Sequence, residues 1–310
     1  MKPALFLAVA ALALVPFAGA ASAQEHEHAA GAHADHHADF DSGRFHVRLD
    51  GTEGAPDVIL VPGLSSSPHV FDDLIEALGD RYRFHALHVQ GFAGAEPMDN
   101  AEGPVSAPVA EDLARYIAEQ GLEAPAVIGH SMGGTIAMML AARHPDAVGK
   151  LMVVDQIPFM GAMFGPPGST AESVTPIADQ IFASWSASAP EDYQAQATAA
   201  IEGMINTESL RARPIADSMA SDQQVSAAAF RELIVTALRP ELSAVAAPTT
   251  VLYVKFNDPT MTEAITDAIY QMSYANLAGA ELKRIDDSAH FIMLDQPTVF
   301  AAEVEAFLGE

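Results

Sequence analysis

A serine stands between two glycines in Gly129-His130-Ser131-Met132-Gly133. A chain that turns sharply from strand into helix holds the residue at the tip in a strained backbone conformation. Neighbours two places away must then lack side chains to avoid collision. The tip hydroxyl is exposed, and the helix N-terminus lies behind any negative charge developing beside it. Such a serine suits nucleophilic attack on an acyl carbon. The five-residue pattern recurs by chance, so its context matters. Ala126-Val127-Ile128 before it reads as a short buried strand and Thr135 to Ala142 after it as a helix, the setting this turn requires.

Two other groups of side chains could bind something. His26, His28, His33, His36 and His37 stand close together in EHEHAAGAHADHHADF, and neutral imidazoles are good ligands for Zn, Cu or Ni. No fixed spacing closes a tetrahedral site, and few side chains there could form a core. Residues 24–41 therefore read as a disordered, solvated tether, with metal capture the weaker alternative. Phe159, Met160 and Met163 could line an adaptable apolar pocket; the competing reading is ordinary helical packing.

The elements that must position Ser131 alternate strand and helix from Arg44 onward, which predicts a mostly parallel sheet with helices on both faces. Strands are expected at Arg44–Leu49, Val58–Val61, Arg83–Val89, Ala126–Ile128, Leu151–Val154, Val251–Val254 and 281–285. Helices are expected at Val70–Leu78, Val109–Gln120, Thr135–Ala142, 262–277 and Thr298–Leu308. Val58–Val61 is wholly apolar, as a strand buried on both faces should be. From Gln156 to about Leu242 the rhythm fails and only helical stretches remain, an insertion read as a lid over one end of the sheet. The expected organisation is a signal peptide at 1–23, the tether at 24–41, a core in two parts at 42–155 and 243–310, and the helical lid at 156–242.

The runs VILVPGLSSSPHVFDDLIEAL, VIGHSMGG, PTTVLYVKFNDPTM and SAHFIMLDQPTVFAAEVEAFL resemble the α/β-hydrolase superfamily, in its lidded branch of esterases, lipases and carbon–carbon bond hydrolases. The resemblance covers about Arg44 to Leu308 and implies a nucleophile, an acid and a histidine in that chain order. It places Ser131 as the nucleophile. His290, in Ser288-Ala289-His290-Phe291, becomes the base, and Asp258, in Phe256-Asn257-Asp258-Pro259, the acid that orients it. Asp155, after the preceding strand, is the alternative acid. The oxyanion hole is expected from the N–H groups of Leu64 and Met132. Family members usually carry His-Gly where this chain has Pro62-Gly63. They often carry an Asp where His88 precedes Gln90-Gly91-Phe92-Ala93-Gly94, a departure read as structural.

The chain has 310 residues, 15 Lys and Arg against 41 Asp and Glu, a formal charge of −26, and no cysteine. That acidity argues against nucleic acid or an anionic membrane as partner. Lys2, the apolar Ala4–Val15 and Ala21-Ser22-Ala23 read as an export signal cleaved between Ala23 and Gln24. The mature chain is then expected in the periplasm or the medium, with no stable membrane anchor. No cofactor is expected. The expected activity is that of a carboxylesterase-like serine hydrolase, acting on small to medium apolar esters through an acyl-enzyme. A dienone-acid carbon–carbon hydrolase, with Arg211, Arg213 or Arg231 as carboxylate partner, or a lactonase remain alternatives, and a metal-binding protein on an inactive scaffold is a third.

Overall fold

The computed structural model describes residues 36–258 and 260–309. The expected signal segment and His26, His28 and His33 lie outside the described residues. Eight strands form one sheet in the order β1-β2-β4-β3-β5-β6-β7-β8. They are β1 (His36–His37), β2 (Phe45–Gly51), β3 (Asp57–Val61), β4 (Arg83–Val89), β5 (Ala126–His130), β6 (Lys150–Val154), β7 (Thr249–Tyr253) and β8 (Glu281–Arg284). From β4 to β8 the neighbours run parallel, while β1 and β2 are antiparallel.

Helices cover both faces: α1 (Asp72–Leu78), α2 (Ser106–Glu119), α3 (Met132–Arg143), α4 (Ala171–Ala187), α5 (Pro190–Met204), α6 (Ala212–Ala220), α7 (Gln223–Val235), α8 (Glu263–Ser273), the single turn α9 (Ile292–Asp295) and α10 (Pro297–Gly309). Side chains alternate across a strand, so the apolar runs divide cleanly between two cores. Ile59, Val61, Val127, Leu151, Val153 and Val251 join α2, α3 and Tyr270 of α8 on one face. Val58, Leu60, Ile128, Met152, Val154 and Leu252 join α1 and α10 on the other. Burial on both faces explains why these strands are continuously apolar.

Helices α4 to α7 lie between β6 and β7, where the alternating pattern fails, and no strand occurs there. One boundary differs from expectation. Within the stretch read as tether, His36 and His37 instead join the sheet, pairing with Leu49 and Arg48, and Phe40 stacks on Phe45 at 5.7 Å between ring centroids. The partner for this edge comes from β2, which the histidine-rich composition does not reveal.

Candidate active site

In an open parallel sheet the ligand crevice lies beyond the C-terminal strand ends, where the strand order reverses direction. Here β3 is that strand, flanked by β4 and β5. The loops following β3, β5, β6 and β8 carry Leu64, Ser131, Asp155 and His290.

Ser131 caps α3 with φ 53° and ψ −120°, a conformation costing on the order of 1–3 kcal/mol that only the surrounding structure can hold. The glycines explain themselves by contact. A Cβ on Gly129 would lie 2.2 Å from the Gly133 carbonyl oxygen, and one on Gly133 would lie 2.0 Å from that of Val61. A side chain at either position would push the start of α3 away from the ends of β5 and β3. The Ser131 N–H donates to Val154 O at 2.9 Å, tying the tip to the end of β6.

His290 Nδ1 donates to Asp155 Oδ2 at 2.6 Å, which leaves Nε2 with the free lone pair a base needs. The Asp155 carboxylate is itself held. Its Oδ1 accepts from the Tyr270 hydroxyl at 2.9 Å and from the Val254 N–H at 3.1 Å. Burial, with the Asp155 charge second, pushes the Tyr270 phenol well above its ordinary range, so it stays a donor. Asp295 steadies the histidine loop: its carboxylate accepts from the N–H groups of Ala289, Asn206 and Thr207 at 2.8–3.0 Å.

Asp258, expected as the acid, does not meet His290. Its Oδ1 accepts from the N–H and hydroxyl of Thr260 at 2.6 and 2.7 Å, and these bonds lower its pKa. Asn-Asp-Pro is good turn chemistry in its own right, and that chemistry claims this side chain. Asp155, the alternative, is the residue paired with His290. Its place directly after the strand beside the nucleophile strand makes it a candidate, but does not by itself rank it above Asp258. Tyr270 was missed, because one tyrosine in an amphipathic helix resembles any core residue.

His130 is fully buried beside the pair, its ring centroid 4.6 Å from that of His290. Its Nε2 donates to His290 O at 3.0 Å, so Nδ1 is an acceptor, and it has no partner among the described residues. Burial, then the neighbouring His290, pushes its pKa well below 6.5.

The N–H groups of Leu64 and Met132 have no protein acceptor among the described residues. A Cβ on Gly63 would lie 3.1 Å from Ser131 Cβ, so the loop after β3 runs directly against the serine. Pro62 therefore leaves the Leu64 donor in place. His88 donates to Phe92 O at 2.9 Å, holding the turn in which family members often use Asp.

The expected pocket residues divide. Phe159 is 2% exposed and packs with Val174, Ala178 and Ile234 in the insertion's own core, so packing claims it rather than a pocket. Met160 and Met163 are half-buried against the main core. A cavity of about 650 Å³ opens elsewhere in the insertion, lined by Phe164, Pro166, Pro176 and Ile177 among others. Among the described residues no group of three or more metal-ligating side chains could hold an ion.

With this fold and geometry in view, the chain belongs to the alpha/beta hydrolase family, whose pattern matches residues 58–303. It is 22% identical to a pimeloyl-[acyl-carrier protein] methyl ester esterase of Vibrio cholerae over 81% of this chain and 93% of the relative. It is 33% identical to the mouse sn-1-specific diacylglycerol lipase ABHD11 over 110 residues, 36% of each chain, so that match spans about a third of the mouse protein's length. Among solved structures, a hydrolase from Pseudomonas aeruginosa superposes with a TM-score of 0.73 at 21% identity, over 90% of this chain and 100% of that one. An enol-lactonase from Burkholderia xenovorans superposes at 0.67 and 20% identity, over 86% and 96%.

Proposed function

We propose that this protein is an exported serine hydrolase that cleaves carboxylic esters of small to medium apolar substrates through an acyl-enzyme. The observation carrying the reading is the 2.6 Å bond from His290 Nδ1 to a thrice-bonded Asp155 carboxylate, in the same loop cluster as the strained Ser131. His290 Nε2 takes the Ser131 proton as Oγ attacks the ester carbonyl, and Asp155 stabilises the imidazolium. The Leu64 and Met132 N–H groups receive the oxyanion. His290 then returns the proton to the leaving alkoxide, and water, activated the same way, releases the acid. The segment 1–23 supports export.

A lactone is a cyclic ester and opens by the same steps, so a panel of esters and lactones defines the substrate. The dienone-acid reading gains no support from the three arginines considered as its carboxylate partner: Arg211 donates to the carbonyls of Ile205 and Asn206, Arg213 lies 3.7 Å from Asp72 Oδ2, and Arg231 pairs with Asp179. A fluorophosphonate should label Ser131, and Ser131→Ala should lower turnover of short nitrophenyl esters by more than about 10³-fold. Full activity in that variant would sink the proposal.

A further inference from the structure

The loop that presents Leu64 is held chiefly from the insertion, not from the strand it leaves. Ser65, at φ 55°, shares a buried hydrogen bond of 2.8 Å between its hydroxyl and that of Ser226 in the first turn of α7. Ser67 donates twice to Asp217 Oδ2 of α6, from its N–H at 3.2 Å and its hydroxyl at 2.5 Å. The loop's own contribution is smaller: Ser66 N–H reaches Gly63 O and its hydroxyl reaches Leu64 O, both at 3.3 Å. Ser65 and Ser67, the first and third residues after Leu64, are thus fixed by side chains 161 and 150 positions away in sequence.

Those side chains stand on a rigid base. Glu232 of α7 accepts from the N–H groups of Val105, Ser106 and Ala107 at 2.7–2.9 Å, capping α2 from across the interface. Asp222 caps α7 through the N–H groups of Gln224 and Val225, and its own N–H donates to Gly91 O at 2.7 Å. The neighbouring Ser221 hydroxyl accepts from Ala93 N–H at 2.8 Å, and Ala220 O accepts from Gly94 N–H at 3.2 Å. The end of α6 and the start of α7 are bolted to the core rather than laid over it.

We infer that Asp217 and Ser226 are positioning residues of the oxyanion site, setting where the Leu64 N–H points. The inference rests on the ester-hydrolase reading. An oxyanion donor acts only when aimed at the place the charge will occupy, and small misplacement of a reacting constellation is costly. Loss of either contact loosens the segment directly after Leu64 while leaving the Leu64 N–H, Ser131 and the Asp155–His290 pair intact. The signature is a loss confined to the tetrahedral state.

The test compares wild type with Asp217→Ala, Asp217→Asn and Ser226→Ala, using a short nitrophenyl ester as substrate and phenylboronic acid as tetrahedral mimic. Asp217→Ala should lower kcat about tenfold and weaken the boronate by a similar factor, with KM within about twofold of wild type. Asp217→Asn, which keeps an acceptor oxygen, should recover most of that loss. Ser226→Ala should fall between them and removes a single oxygen, so it decides the matter should Asp217→Ala fail to fold. Unchanged kcat and boronate affinity in Asp217→Ala and Ser226→Ala overturns the inference, as does a rise in KM alone. Phosphonate labelling of wild-type Ser131 separates the two claims: labelled wild type with unaffected variants sinks only the positioning role, and wild type that neither labels nor turns over sinks both.

Discussion

The loops after β6 and β7 leave neighbouring parallel strands at the same edge of the sheet, and each carries an aspartate. Asp155 follows β6 immediately. Its backbone N–H donates to Leu252 O at 2.7 Å and its carboxylate accepts from the Val254 N–H, both from the β7 side. The sheet register therefore fixes where that carboxylate stands. Asp258 lies five residues beyond the end of β7, past the reach of the register. Its N–H donates to Phe256 O, its carbonyl accepts from Met261, and its side chain folds back on Thr260. A carboxylate at a strand end is placed by long-range pairing; one five residues on is governed by its own turn. The first can serve a partner 135 positions away, while the second serves itself.

The largest effect that would break this contrast is on turnover. Asp155→Asn should lower kcat by about 10³–10⁴-fold, because the amide no longer holds the imidazole in the right tautomer or stabilises its charge. Asp258→Asn should stay within about twofold of wild type, as turn substitutions away from a site usually do. Steady-state kinetics on one ester checks both, and the reverse ranking would overturn the assignment.

The neighbours of the two carboxylates sharpen it. Tyr270→Phe removes one charge-assisted bond to Asp155 and should lower stability by about 1.5–3 kcal/mol, with kcat falling several-fold as the carboxylate loosens. Thr260→Val removes the hydroxyl, though not the N–H, that Asp258 accepts from, and should leave kcat unchanged. Thermal melts and kcat, read side by side, show whether support for the carboxylate reaches the chemistry at one loop only.

A smaller effect appears in stability against pH. Burial holds the His130 pKa well below 6.5, so below that value the unfolded chain takes up a proton that the folded one refuses. Stability from this group is level above pH 6.5 and falls as pH drops below it, by at most about 1.4 kcal/mol per pH unit. His85 and His88, also lowered chiefly by burial, add slope of the same sign. Denaturant unfolding of His130→Asn should show a shallower acid slope than wild type; an identical slope would mean that His130 charges freely in the fold.

Where residues act through their immediate neighbours, the sequence was readable. Gly129, Gly133 and the apolar run before them announce the turn at Ser131, since backbone contact forbids any other residue there. β3, β5, β6 and β7 are legible because burial on both faces demands apolar runs such as Val58–Val61 and Leu151–Val154. His290 was legible from its motif and its place after the last strand. The choice between Asp155 and Asp258 was not, because it depends on which loop stays in register with β7 and which curls on itself. The pairing of His36–His37 likewise comes from β2, and the grip of Asp217 and Ser226 on the loop after β3 spans some 150 residues. No local pattern encodes such contacts.

The central claim, that Asp155 is the carboxylate on His290, is tested most directly by the low-field proton resonance of the His290 Nδ1–H. The account predicts that the resonance is present in wild type and in Asp258→Asn and is lost in Asp155→Asn. A resonance that survives in Asp155→Asn and vanishes in Asp258→Asn would contradict it.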